Sequence, residues 1–232
     1  MMFRRLCLMG ALAGLGVLAA LHPAMAGSKA EATTKVTEAQ VVMEHVMSSD
    51  DASIPQDLLH KAKAVAIFPD MVKAGFLVGG QYGTGVVMAR RGDGSWGPPA
   101  FFTMGGVSFG LQLGAQAADV VLVIMKQRGL DGLLNNKIKL GADVGVAVGP
   151  VGRRGEASIS GFSGYADAYS YSRTKGLFAG LSLEGGGIEY DAKTTGKFYG
   201  KNLEVREVLQ GGQATPPVVA QTLMQAMDRF GR

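Results

Sequence analysis

The feature that most constrains this fold is a block of short apolar runs, interrupted by glycines, over residues 76–190. Valine, phenylalanine, leucine and isoleucine favour strands, and the frequent glycines let strands bulge and bend. The block therefore predicts an α+β fold with a strongly curved or barrel-like, mainly antiparallel sheet. Helical periodicity on either side of it predicts N-terminal and C-terminal helices packed on that sheet.

The first 26 residues have the pattern of an export signal. Arg4 and Arg5 precede an apolar run over residues 6–21, and Ala24-Met25-Ala26 offers a small-residue cleavage site. Cys7 lies before that run and has no lipobox. We predict a cleaved secretory signal peptide over residues 1–26, a single domain over residues 27–232 and a periplasmic location. An uncleaved N-terminal anchor is the alternative.

Composition argues against several classes of function. Arg4 and Arg5 are two of 23 basic residues, so residues 27–232 carry 21 basic and 19 acidic residues, a net charge of +2. That charge is too small for nucleic-acid binding. Cys7 is the only cysteine, so residues 27–232 form no disulfide and no thiolate zinc site. We predict no cofactor and no metal.

Periodicity and turn residues predict the individual elements. Residues 33–48 form an amphipathic helix, which either docks on the core or lies on a membrane interface. A capping box at Ser53 opens a second helix, and Pro69-Asp70 ends the strand that follows it. The apolar run at residues 119–125 predicts a central strand covered on both faces. Other strands are predicted over residues 64–68, 76–81, 83–90, 100–104, 107–113, 137–148, 156–162, 166–172 and 177–183, a hairpin turn over 91–94, and helices over 127–134 and after 217.

One motif resembles a catalytic site. Gly106-Val-Ser108-Phe-Gly110 matches the G-x-S-x-G nucleophile elbow, which requires a helix after the serine and a histidine later in the chain. Strand formers follow Ser108, and His60 is the last histidine, so a hydrolase is disfavoured. His45 and His60 lack the spacing of metal ligands. The acidic residues beside the triple glycine at 185–187 are interpreted as a solvated loop: Glu184, Glu189 and Asp191.

An ordered series of motifs carries a family resemblance. It includes AKAVAIFPDMVKAGFLVGG (62–80), GLQLGAQAADVVLVIM (110–125), KLGADVGVAVGPVG (139–152) and SYSRTKGLFAGLSLEG (170–185). Together they resemble the SYLF domain, a lipid-binding family shared by eukaryotic membrane-traffic and actin-regulating proteins and by exported bacterial proteins. The resemblance implies a mixed α/β domain with no known catalysis and a general tendency toward anionic lipid. The helix at 33–48 lacks a strongly basic face, and an exported protein would meet neither actin nor, usually, phosphoinositides. The ligands of eukaryotic members are therefore not carried over.

These observations predict a non-enzymatic envelope protein that binds phospholipid or a membrane surface. Basic residues in turns would attract anionic headgroups by about 1 kcal/mol each, and the first helix would add apolar contacts. The candidate lipid-binding residues are Lys61, Lys63, Lys73, Arg90, Arg91, Arg153, Arg154, Arg173 and Lys175, with Val36, Met43, Val46 and Met47 as apolar contacts. Lys137 and Lys139 belong to the same set of basic residues. The alternative is an envelope protein–protein scaffold without a lipid role. An outer-membrane barrel is disfavoured because residues 119–125 do not alternate as a strand between lipid and water should.

Overall fold

A computed structural model describes residues 28–49, 53–149, 166–174, 177–178, 183 and 185–231, with the backbone alone for residues 75–78, 108–116, 174 and 177–178. The described helices are α1 (Lys29–Met47), α2 (Gln56–Lys61), α3 (Gln127–Leu134), α4 (Ala192–Tyr199), α5 (Val205–Leu209) and α6 (Val218–Phe230). The described strands are β1 (Ala64–Ala89), β2 (Ala100–Ile124), β3 (Lys137–Lys139), β4 (Val146–Val148), β5 (Ala168–Thr174), β6 (Leu177–Phe178) and β7 (Gly186–Tyr190). These strands form one mixed, mostly antiparallel sheet curled into a half-barrel, which confirms the predicted fold class.

Two very long strands form the centre of the sheet. β1 and β2 pair antiparallel along their length, with one register shift after Phe68 and another after Gly75. Because a bulge bends a strand and increases its twist, these shifts let the ribbon curl. The two ends of β1 thereby meet, and the backbone N–H of Arg90 donates to the carbonyl of Lys63 at 2.9 Å.

Gly85 lies where the two halves of the folded β1 come close together. A Cβ at this position would lie 2.1 Å from the carbonyl oxygen of Ile67 and 2.7 Å from the ring of Phe68. Only a residue without a side chain fits so close to another backbone. The curvature predicted from the glycine content therefore has a specific steric requirement at Gly85.

The second edge of β2 is shared by two strands. β7 pairs with residues 102–106 and β5 pairs with residues 119–124. β3 pairs with β7 and extends the sheet on that side. β4 pairs parallel with β5, and β6 pairs antiparallel with β5. Residues 120–124 are paired on both edges and fully buried, which confirms the predicted central, covered strand.

An apolar core covers each face of the sheet, because successive strand residues point to opposite faces. Phe68 and Phe102 belong to the core that includes residues of α3 and α5. Ile67 and Phe101 belong to the core that includes residues of α1, α2, α4 and α6. The N-terminal and C-terminal helices therefore both pack on the sheet, as predicted.

A buried carboxylate joins α3, β5 and the loop before β4. The side chain of Asp167 is 2% exposed; it pairs with Arg128 and with Lys126, whose Nζ lies 3.2 Å from Oδ1. Its Oδ2 also accepts from the backbone N–H of Gly145 at 2.8 Å. This network fixes the start of β5 against the start of α3.

Several predicted boundaries are wrong because long-range contacts override local signals. Pro69-Asp70 does not end a strand; β1 continues through it, with Asp70 at a φ of 49°. α2 begins at Gln56 after Pro55, with no side-chain cap, so the capping box at Ser53 does not form. The three strands predicted over residues 100–125 are one strand, β2, while residues 137–148 form two strands, β3 and β4. The helix predicted over 127–134 is confirmed and is α3. The sequence did not predict helices α4 and α5. The strand predicted over 156–162 lies outside the described residues.

Candidate functional site

An open groove lies on the sheet where β1, β2, β7 and β3 run side by side. The strand register aligns two transverse rows of residues: Tyr82, Gly105, Gly187 and Lys139 form the first row, and Thr84, Thr103, Glu189 and Lys137 form the second. Directly opposed residues of antiparallel strands share one face of the sheet. Residues of both rows line a groove of about 430 Å³.

The first row gives the groove its shape. Tyr82, which is 52% exposed, stands at one end of the row, and Lys139 is exposed at the other. The two glycines between them leave the floor without side chains. Because neighbouring strands lie about 4.8 Å apart, the ends of this row are roughly 14 Å apart. A groove of this volume lies within the range of small-molecule sites.

The side chains that line the groove carry a net positive charge. The Nζ of Lys137 lies 3.3 Å from Oε2 of Glu189, and both side chains are more than half exposed, so this pair is weak. Within the described part of the chain, no carboxylate pairs with the ammonium group of Lys139, whose backbone N–H donates to Asp143 at 2.8 Å. Of the residues that the structure describes, two cations and one anion line the groove, and this balance favours an anionic ligand.

Four of the predicted basic residues gather where the two ends of β1 meet. Lys61 and Lys63 flank Ala62, whose carbonyl accepts from Nε of Arg90 at 3.2 Å, and Arg91 follows directly. Lys61 also lies 3.9 Å from Asp57 in an exposed pair. This seam cluster, comprising Lys61, Lys63, Arg90 and Arg91, contacts the C-terminal end of α2.

Arg90 serves as a tether within the seam cluster. Its Nη1 donates to the carbonyl of Gly94 and its Nη2 to that of Leu59, each at 2.6 Å. Its guanidinium also lies 4.4 Å from the centre of the Trp96 ring, in a cation–π contact. Burial lowers the pKa of Arg90, and the charge of Asp228 partly opposes this effect. The guanidinium therefore holds α2 and the β1–β2 connection together.

The two other basic candidates that the structure describes lie on different strands. Lys73 lies on β1 opposite Gln116, and Arg173 lies on β5 opposite Asp119. Three further candidates lie outside the described residues: Arg153, Arg154 and Lys175. Outside the seam cluster, the described candidates thus lie on β1 and β5, and the lysines of the groove, Lys137 and Lys139, form a second basic site on β3.

The apolar candidates of α1 belong to the core. Val36 and Met43 have no exposed surface, Val46 is 2% exposed, and Met47 is partly buried against the same core. The docked alternative for this helix is therefore the observed one. In this conformation the core covers these side chains, so they could contact a membrane only if α1 left the sheet.

The serine motif lies within a strand. β2 continues from Ala100 to Ile124, so the helix that a nucleophile elbow needs after Ser108 is absent. Nδ1 of His60 lies 3.0 Å from the carbonyl oxygen of Gly231. Among the described residues, no three His, Cys, Asp or Glu side chains are grouped as a metal site. Within the same part of the chain, no helix is long and apolar enough to cross a membrane.

Sequence reasoning missed most of the groove because strand register aligns its residues. Tyr82, Thr103, Gly105 and Gly187 carry no local motif, and they become neighbours only through β1–β2 and β2–β7 pairing. The interpretation of the acidic residues as a solvated loop is wrong for two of them. Glu189 is part of β7, and Asp191 caps α4 by accepting from the backbone N–H of Thr194 at 2.9 Å.

The protein is an α+β domain with a curled, mostly antiparallel sheet and helices on both faces. Its described surface carries an open groove that is a candidate binding site. Comparison with known proteins adds the family. The sequence pattern of the family described as "Ysc84: Las17-binding protein actin regulator" matches residues 105–230, more than half of the chain. The protein belongs to this Ysc84 family, whose domain is also called SYLF, so the predicted resemblance is confirmed.

Curated relatives extend the similarity over most of the chain. The Saccharomyces cerevisiae protein "LAS seventeen-binding protein 3" is 37% identical over 194 residues, covering 83% of this chain and 42% of the relative. The Bos taurus protein "SH3 domain-containing YSC84-like protein 1" is 36% identical over 181 residues, covering 78% of this chain and 52% of the relative. The chain thus spans about half the length of these relatives, whose names describe binding and domain content, and none names a catalytic activity.

Proposed function

We propose that this protein is a non-enzymatic component of the cell envelope that binds anionic phospholipid at a membrane surface. The observation that carries the proposal is the groove, which is open to solvent and has a net positive lining. The family adds support, because its domain is known for lipid binding as well as for actin regulation. Export is proposed from the signal pattern of residues 1–26.

Exposed apolar side chains next to the groove suit a membrane interface. Val107 lies opposite Gly80 and projects on the same face as Gly105; it is 50% exposed, and Tyr82 is 52% exposed. A tyrosine ring is favoured at the level of lipid headgroups. Lysines near an anionic surface contribute about 1 kcal/mol each. Tyr82 and Val107 would therefore contact the interface while Lys137 and Lys139 meet the headgroups.

Vesicle flotation tests this proposal directly. The protein should float with vesicles of phosphatidylglycerol and phosphatidylcholine, and much less with phosphatidylcholine alone. The double variant Lys137→Gln/Lys139→Gln should weaken binding by about 2 kcal/mol in total, a loss of about thirty-fold in affinity.

The matched control removes the same charge from the helices. Lys29 begins α1 and Lys193 lies on α4, and both are exposed. Lys29→Gln/Lys193→Gln should leave flotation unchanged if the groove is the contact. Equal weakening by both double variants would contradict a specific role for the groove, and no flotation of the wild type with either vesicle would reject lipid binding.

Protein binding is the second candidate function. The yeast relative is named "LAS seventeen-binding protein 3", and this similarity supports protein binding, while the envelope location of such a scaffold rests on the signal pattern of residues 1–26. A stoichiometric envelope partner retained by the wild type, together with no vesicle flotation, would favour the scaffold over the lipid-binding protein.

A further inference from the structure

We propose that the groove is a discrete site for a singly charged phosphodiester that carries hydroxyl groups, such as a glycerophosphate headgroup. The inference rests on the proposed function, since it assigns the headgroup contact to one defined pocket. It also separates a saturable site from general attraction between a basic surface and an anionic membrane.

The glycines in the groove floor are not required by the fold. A Cβ on Gly105 would have its nearest neighbours, the carbonyl oxygen of Gln81 and the ring of Tyr82, at 3.8 Å. A Cβ on Gly187 would lie 3.6 Å from the carbonyl oxygen of Ile138. These are ordinary contact distances, and neither glycine has a positive φ. In a strand, glycine is otherwise unfavourable, so the vacant floor points to space kept for a ligand.

The glycines on the opposite face behave differently. A Cβ on Gly106 would lie 2.6 Å from the Cα of Gly186, and a Cβ on Gly186 would lie 3.0 Å from the carbonyl oxygen of Leu183. Packing alone therefore explains Gly106 and Gly186. The same pair of strands thus contains two structural glycines on one face and two glycines on the other that packing does not explain.

The groups around the floor match the parts of a glycerophosphodiester. Within the described part of the chain no carboxylate pairs with the ammonium group of Lys139, so it can meet a phosphate oxygen, and Lys137, in a weak exposed pair with Glu189, can add a second contact. The carboxylate of Glu189 and the hydroxyl of Thr103 lie side by side in the second row and can bond ligand hydroxyl groups. The exposed ring of Tyr82 supplies an apolar wall at the other end.

The charge of the lining sets the charge of the ligand. Among the described residues, two lysines and one glutamate line the groove, so their charges balance one phosphate and not several. A carboxylate in the lining also repels additional anionic groups. The site should therefore prefer glycerophosphoglycerol, the soluble headgroup of phosphatidylglycerol, to inositol trisphosphate.

Titration of the full exported chain with glycerophosphoglycerol, followed by amide NMR, tests the site. We expect saturable shifts centred on residues 103–105, 137–139 and 187–189, and little response to inositol trisphosphate. Gly187→Val fills the floor with a residue that favours strands, and it should reduce affinity by about tenfold or more. Lys139→Gln should reduce affinity without adding bulk, so it keeps the test valid if Gly187→Val perturbs folding.

Gly92→Ala is the matched control, because a Cβ at Gly92 has nothing within 4 Å and the position lies in the β1–β2 connection. It should leave binding unchanged. Vesicle binding without any saturable response to glycerophosphoglycerol would overturn the site and leave the proposed function standing. A response that Gly187→Val and Lys139→Gln leave intact would also overturn it. Binding of the soluble headgroup without vesicle binding would support the site and reject the membrane as its ligand's source.

Discussion

At the scale of single residues, ion pairs of similar chemistry differ in their environment. The carboxylate of Asp167 is 2% exposed, whereas that of Glu189 is 61% exposed. Removing a buried carboxylate leaves the Gly145 N–H without its acceptor, although half-exposed Lys126 and Arg128 can regain water. Asp167→Ala should therefore lower the free energy of unfolding by about 1–3 kcal/mol, and Glu189→Ala by less than about 1 kcal/mol. Urea unfolding of both variants checks this, and equal losses would contradict the structural role of Asp167.

Arg90 offers a second test at this scale, because the sequence suggested a headgroup contact and the structure shows a tether. Lysine retains the charge but cannot reproduce three carbonyl contacts and the cation–π contact with Trp96. Arg90→Lys should therefore lower the unfolding free energy by about 1–3 kcal/mol and leave vesicle flotation of the folded protein unchanged. Normal stability with reduced flotation would restore Arg90 as a headgroup contact.

At the scale of elements, the fold-back of β1 depends on close backbone approach. Gly85→Ala would place a Cβ 2.1 Å from the carbonyl oxygen of Ile67, so the two halves of the strand would have to separate. Overpacking typically lowers stability by about 1–3 kcal/mol, and contact with backbone should bring this variant to the upper end. Gly92→Ala is the control. Thermal unfolding compares the two, and similar melting temperatures would contradict the steric requirement.

The sequence predicted those elements whose signals are local. α3 and the central strand have clear apolar periods or runs and distinct ends, and the structure confirms both. The break predicted at Pro69-Asp70 did not occur, because pairing with β2 continues on both sides of the bulge. The groove was missed because it also depends on long-range pairing. Tyr82 and Lys139 lie in one row only after three strand pairings have set the register.

At the scale of the whole molecule, the proposed membrane binding raises the question of which surface would make the contact. α1 contributes Val36, Val42, Met43 and Val46 to the core, and burying such side chains stabilises a protein by about 1.5–3 kcal/mol each. Their sum is comparable to the whole stability of a typical domain, about 5–15 kcal/mol. If α1 left the core to bind a membrane, lipid could cover its apolar side chains. The sheet residues beneath it, including Ile67, would then face water.

We therefore expect α1 to stay docked when the protein binds a membrane, with the groove making the contact. Hydrogen exchange measured with and without phosphatidylglycerol vesicles distinguishes the two surfaces. Exchange in α1 should be unchanged, while amides of β3 and β7 should exchange more slowly, because bound lipid stabilises this part of the sheet against local opening. Phosphatidylcholine vesicles are the control and should change neither. Faster exchange throughout α1 on the anionic vesicles would instead show that the helix leaves the core. Val36, Met43 and Val46 would then be candidate membrane contacts.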